Sequence, residues 1–148
     1  VGSEMCIRDR DIKNEIDRMV REEKLSLKQA ECIKLKDIDT FAGSSIGERI
    51  KRAYAYGGVK REQPFVFEYD RQLVQGVIDL YFIEDGQLVI VDYKTDRVLR
   101  GRAGEDELRR RYSIQLDYYA MALSQITGLK VKEKVIYSFA LGRSLTVE

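Results

Sequence analysis

Two strand-like apolar runs, each carrying one acid and joined by a turn, constrain this chain more than any other feature. The first is Val74-Gln75-Gly76-Val77-Ile78-Asp79-Leu80-Tyr81-Phe82; the second is Leu88-Val89-Ile90-Val91-Asp92-Tyr93-Lys94-Thr95-Asp96. Residues two apart in a strand share a face, so Asp92 and Lys94 point one way and Tyr93 the other. Between the runs, Glu84-Asp85-Gly86-Gln87 contains the Asp-Gly pair that two-residue hairpins favour. The turn lies near the middle of the interval between Asp79 and Asp92, so folding the hairpin brings the two acids close on adjacent strands.

A carboxylate among apolar neighbours is costly unless a metal, a cation or hydrogen bonds compensate it. Two carboxylates suit Mg²⁺, which keeps several waters and takes further oxygen ligands from a substrate phosphate. Such an ion activates water and offsets charge growing on the phosphate. Lys94 beside it would orient the attacking water or stabilise the transition state. The plainer alternative is a salt bridge between Asp92 and Lys94 at a strand end, with Asp79 satisfied by backbone. Gly76, upstream of Asp79, favours the first reading because it lets a ligand or another backbone approach closely.

Composition narrows the rest. The 148 residues suffice for one domain with a core, and 44% hydrophobic with 34% charged residues is typical of a globular protein. No apolar run approaches the ~20 residues of a membrane span, and no signal-peptide pattern opens the chain. Lys+Arg is 26 against 25 Asp+Glu, so any DNA-binding surface is a local patch. Cys6 and Cys32 form no CxxC, which fits a reducing cytosol. Histidine is absent, which removes His-based triads, bases and ligands from these residues.

Residues 1–10 (VGSEMCIRDR) show no periodicity and resemble translated sequencing-adaptor DNA, so they are expected to be non-native and residues 11–148 to form the domain. Helical spacing predicts a helix over residues 11–23, a second short one capped by Ser26 with Ala30 and Ile33 inward, and a third over residues 45–54 ended by Gly57-Gly58. Pro64 is expected to open a strand over residues 65–69, followed by strands over 73–83 and 88–95. A basic loop over 97–104 leads to a long helix over 105–126, then strands over 131–140 and 145–147. This order predicts an α/β fold, a mixed sheet flanked by helices.

On the long helix Gln115 and Tyr119 are i and i+4 and share a face. Both can hydrogen-bond a phosphate, a base or a catalytic carboxylate; equally, Tyr119 can be core and Gln115 a packing amide. Arg109, Arg110 and Arg111 read either as a solvated face or, with Arg97, Arg100 and Arg102, as a phosphate-contacting rim.

The combination Gly76-x-x-Asp79, Asp92-x-Lys94 and Gln115-x-x-x-Tyr119 resembles the RecB-type branch of the PD-(D/E)XK nuclease superfamily. QGVIDLYF, VDYKTDRV, RYSIQLDYYAMAL and VKEKVIYSFALG resemble the C-terminal nuclease domain of the bacterial AddA-type helicase–nucleases. The resemblance covers residues 11–148. It implies a restriction-endonuclease-like core, an Mg²⁺-dependent DNA nuclease with Mn²⁺ as an alternative ion, and a role in double-strand-break processing for homologous recombination. It implies Asp79 and Asp92 as metal ligands joined by the Tyr93 carbonyl, Lys94 as catalytic lysine, and Gln115 and Tyr119 as the nuclease-associated motif. Glu62 and Arg97 are additional candidates. It further implies a bacterial cytoplasmic setting at the nucleoid, ATP use in helicase regions outside this chain, and an AddB-type partner subunit. One departure stands out: the family places a metal-binding histidine on a helix upstream, where the adaptor-like residues lie.

Two other readings compete. One is another nuclease of the same superfamily, of CRISPR-associated or phage exonuclease type. The other is a non-catalytic DNA-binding or subunit-docking module, against which the buried acid pair argues.

Overall fold

The computed structural model of the protein describes residues 35–148. The adaptor-like segment, the helices expected over residues 11–23 and after Ser26, and both cysteines lie outside these residues. The chain divides into two compact units, Val1–Lys51 and Arg52–Glu148.

In the first unit, α1 (Leu35–Gly43) is a helix that periodicity did not predict; α2 (Ser45–Ala55) begins there, where it was expected, and its last residues belong to the second unit. Ser44 joins them. Its Oγ accepts the Gly47 N–H at 3.1 Å as an N-cap and donates to the Phe41 carbonyl at 2.6 Å. Gly47 is required here, because a Cβ would lie 2.2 Å from the Phe41 carbonyl oxygen.

The second unit is a mixed sheet with one long helix. In chain order it contains β1 (Val59–Tyr69), β2 (Gln72–Glu84), β3 (Gln87–Lys94), α3 (Arg102–Thr127), β4 (Val131–Ser138) and β5 (Arg143–Val147). The strands lie in the order β1-β2-β3-β4-β5. All neighbours are antiparallel except β3 and β4, which are parallel and joined through α3. A parallel pair needs such a crossover.

The β2–β3 turn is the expected Asp85-Gly86 pair, both with positive φ (54° and 73°), as a tight hairpin twisting with its strands requires. The β1–β2 turn uses Asp70 and Arg71 at φ 51° and 64° without a glycine. β1 starts earlier than expected and Pro64 lies inside it. The strand ladders only with β2, which leaves positions where a missing N–H costs little.

The face of β2 changes along its length. Phe65, Phe67 and Ile78 pack in the core with Leu116, Tyr119 and Leu123 of α3, and so does Tyr81, which is out of step with Ile78. Between them the ladder is interrupted. The register sets Glu62 opposite Asp79, yet the strand pairing skips this position and Glu62 has φ 54°. Asp79 thereby shares the α3 side with Tyr81, Ile90 and Asp92.

Gly104 anchors the start of α3. A Cβ there would fall 1.7 Å from the Leu99 carbonyl oxygen, a backbone atom that cannot simply step aside. Gly104→Ala should therefore destabilise the domain by ~2 kcal/mol or more, read as a lower midpoint in urea unfolding. An unchanged midpoint would mean that the loop before α3 yields freely.

Candidate active site

Extending the β2–β3 register by one pair from Leu80↔Val91 sets Asp79 opposite Asp92. Both are buried, at 6% and 2% exposure. The structure thus brings the two acids together. Asp79 Oδ2 accepts the Tyr93 backbone N–H at 3.0 Å, so the strand that carries Asp92 also orients its partner.

Lys94 shares the face of Asp92, and its Nζ lies 2.9 Å from Asp92 Oδ2. Nζ also donates to Gln115 Oε1 at 3.1 Å, and Gln115 Nε2 donates to Tyr119 Oη at 2.9 Å. The motif on α3 is therefore joined by hydrogen bonds to the strand lysine. Tyr119 packs as a core residue, its ring edge-on against Phe65 with 5.5 Å between centroids, while its hydroxyl accepts from Gln115.

Electrostatics mark Asp92. Burial first, then the neighbouring Asp79, push its carboxyl up to about 8 from 3.8, with Lys94 pulling the other way. Burial and the same two aspartates also raise the Tyr119 phenol, so it stays protonated and available as a donor. Among the described residues no group of three or more His, Cys, Asp or Glu side chains forms a metal site. Two carboxylates still fit a hard divalent ion whose remaining ligands are water, backbone carbonyl and phosphate. The buried pair of acids, with Lys94 as its one lysine neighbour among the described residues, is the arrangement such an ion would relieve.

Sequence reasoning passed over two residues here. Tyr112 lies under Lys94, its ring centroid 4.0 Å from Nζ. Its hydroxyl donates to Asp96 Oδ2 at 2.6 Å, and burial followed by this bond pushes its phenol up to about 12. Asp96 also receives Arg111 Nη1 at 2.9 Å. The signal was present in the spacing: Asp96 is two residues beyond Lys94, and Tyr112 is three before Gln115.

The additional candidates are more peripheral. Glu62 is beside Asp79 in register, and Arg97 is exposed beyond the end of β3. Of the arginine rim, Arg109 is paired with Asp106 and the Thr146 carbonyl, and Arg111 with Asp96 and Glu107.

The model of the PD-(D/E)XK nuclease superfamily matches residues 4–145. The chain belongs to the PD-(D/E)XK nuclease superfamily. Its α/β architecture, with the acids on a β-hairpin and a crossover helix behind them, is that of a PD-(D/E)XK core. Similar proteins are named as one of the subunits of an ATP-dependent helicase/nuclease, the same one in each organism. That of Thermoanaerobacter sp. (strain X514) is 40% identical over 149 aligned positions, covering 90% of this chain and 12% of the relative. That of Clostridium acetobutylicum is 34% identical over 163, covering 100% and 12%, and that of Clostridium novyi (strain NT) 34% over 145, covering 87% and 11%. This PD-(D/E)XK chain thus spans about an eighth of the length of these relatives, 12% in the first. Among its described residues no helix is long and apolar enough to cross a membrane.

Proposed function

We propose that the chain is the Mg²⁺-dependent deoxyribonuclease domain of an AddA-type helicase–nuclease that trims DNA ends at double-strand breaks for homologous recombination. The observation that carries this is the buried Asp79–Asp92 pair with Lys94 beside it, on adjacent strands of a PD-(D/E)XK core. Asp79, Asp92 and the Tyr93 carbonyl would hold the metal. Mn²⁺ is the alternative ion. When bound, the ion acidifies water and offsets charge on the phosphate being cut.

The protein's own groups do the rest. Tyr93 N–H fixes the Asp79 carboxylate. Lys94 is ion-paired with Asp92 and donates to Gln115, and its charge would there meet a phosphate oxygen or the attacking water. Tyr119 holds Gln115, and so holds the lysine's acceptor in place. Glu62 and Arg97 are further candidates at the margin of the site. The names of the relatives support an ATP-dependent helicase context and a further subunit; that subunit would be AddB-type and the setting the bacterial cytoplasm at the nucleoid.

The test is degradation of labelled single-stranded DNA by the intact polypeptide that carries this domain, with Mg²⁺ or EDTA, beside Asp92→Ala. Cleavage that needs both the metal and Asp92 is expected. Cleavage at the wild-type rate by Asp92→Ala, or in EDTA, would sink the proposal. Metal-independent DNA binding without cleavage in the wild type would instead mark a docking module.

A further inference from the structure

A cleft of ≈ 360 Å³ opens between the β1–β2 hairpin and α3. It is large enough for a small ligand. Phe65, Val74 and Gly76 line it from the hairpin, and Ile114 and Tyr118 from the helix. Ile114 is 65% exposed, a large apolar side chain left in solvent one turn before Tyr118. Gly76 lets the Phe65 ring lie directly against the strand at the wall of the cleft, since a Cβ there would come 3.0 Å from that ring. Arg111 is at the rim, but Asp96 and Glu107 already engage its guanidinium. The lining therefore suits a flat, weakly polar group better than an anion.

The cleft is continuous with the nuclease site. Gln115 and Tyr119 line it, and Gln115 is the acceptor for Lys94 at 3.1 Å. An occupant is thus one side chain away from the lysine that faces the phosphate.

We propose that this cleft receives a nucleobase of the strand being cut, stacked on Tyr118 and Ile114, with the adjoining phosphate at Lys94. The inference rests on the nuclease reading and deepens it. Every base has a π-face, so stacking of this kind tolerates all four sequences. A base seated in the cleft cannot remain paired, so the site selects an unwound strand over duplex.

Photo-crosslinking in EDTA tests this independently of cleavage. The intact polypeptide is irradiated with single-stranded oligonucleotides carrying 5-iododeoxyuridine at successive positions, and the adducts are mapped by mass spectrometry. Tyr118 should crosslink to one position of the strand, and duplex of the same sequence should lose the adduct at least ~10-fold. Because Tyr118 also packs edge-on against Tyr69, its removal could disturb the fold. The decisive variant is therefore Ile114→Glu at the exposed lip, which should lower the adduct ~10-fold by placing charge where the base would stack. Tyr118→Phe should retain crosslinking. No adduct at Tyr118 from any position, equal yield from duplex, or full yield in Ile114→Glu would overturn the proposal. Crosslinking as expected without Mg²⁺-dependent cleavage would leave the cleft assigned and remove the nuclease reading instead.

Discussion

Lys94→Ala should lower the rate of DNA cleavage by roughly 10²–10³-fold while the domain stays folded, the size of effect seen when one fixed donor to a developing negative charge is lost. The ammonium is 2.9 Å from Asp92 as an ion pair and donates to Gln115 at 3.1 Å, so its position is set by both neighbours. Removing it would leave Asp92 buried without its counter-charge. That carboxyl is already pushed up by burial and by Asp79, and losing Lys94 raises it further. Asp92 then takes up a proton instead of forcing the core open. Fold retention is read from circular dichroism, cleavage from single-turnover kinetics with saturating Mg²⁺. A variant that cuts at the wild-type rate removes Lys94 from the chemistry.

Asp92→Asn should have the second large effect, in two opposite directions. The wild-type carboxyl has an ordinary value of 3.8 and stands at about 8 in the fold. A folded value raised in this way means that the native state binds the proton more tightly than the unfolded chain. Its stabilising contribution is complete below pH 4 and is lost as pH rises to 8. In metal-free buffer Asp92→Asn should therefore melt above the wild type at pH 8, by about 5 °C or more, with the gap closing towards pH 4. The same variant should lose stabilisation by Mg²⁺ or Mn²⁺. In the wild type a divalent ion must displace that proton, so apparent metal affinity should rise about tenfold per pH unit between pH 5 and 8. Calorimetry at several pH values reads both. A wild-type affinity that does not change with pH would show that Asp92 is no ligand, and equal melting of the two proteins at pH 8 would show that the carboxyl is not strained.

Much of this was legible in the residues because the hairpin is a local object. Asp85-Gly86 announces its turn, alternation announces the faces, and counting from the turn pairs Asp79 with Asp92. Gln115 and Tyr119 could be placed on one helix face by spacing alone; whether that face met the strand lysine could not, because it depends on where α3 packs. Tyr112 escaped for the same reason. Its spacing fitted a core position, and only the docked helix shows its ring under Lys94. β1 was read too short because Pro64 is a poor strand former in general, whereas a strand laddered on one side tolerates it. The break at Glu62 has no sequence signature, since a positive φ at glutamate is set by tertiary context rather than propensity.

The parallel pairing of β3 with β4 through α3 also dictates an order of assembly. Two-residue turns close the β1–β2–β3 meander over short stretches of chain, so the carboxylates can meet early. Gln115 reaches Lys94 only after the crossover helix has docked, a contact that spans more of the chain and forms more slowly. In a chain leaving the ribosome the acidic half of the centre would thus exist before the clamp on its lysine. Competence to cut would be the last property acquired, once the domain has closed around it.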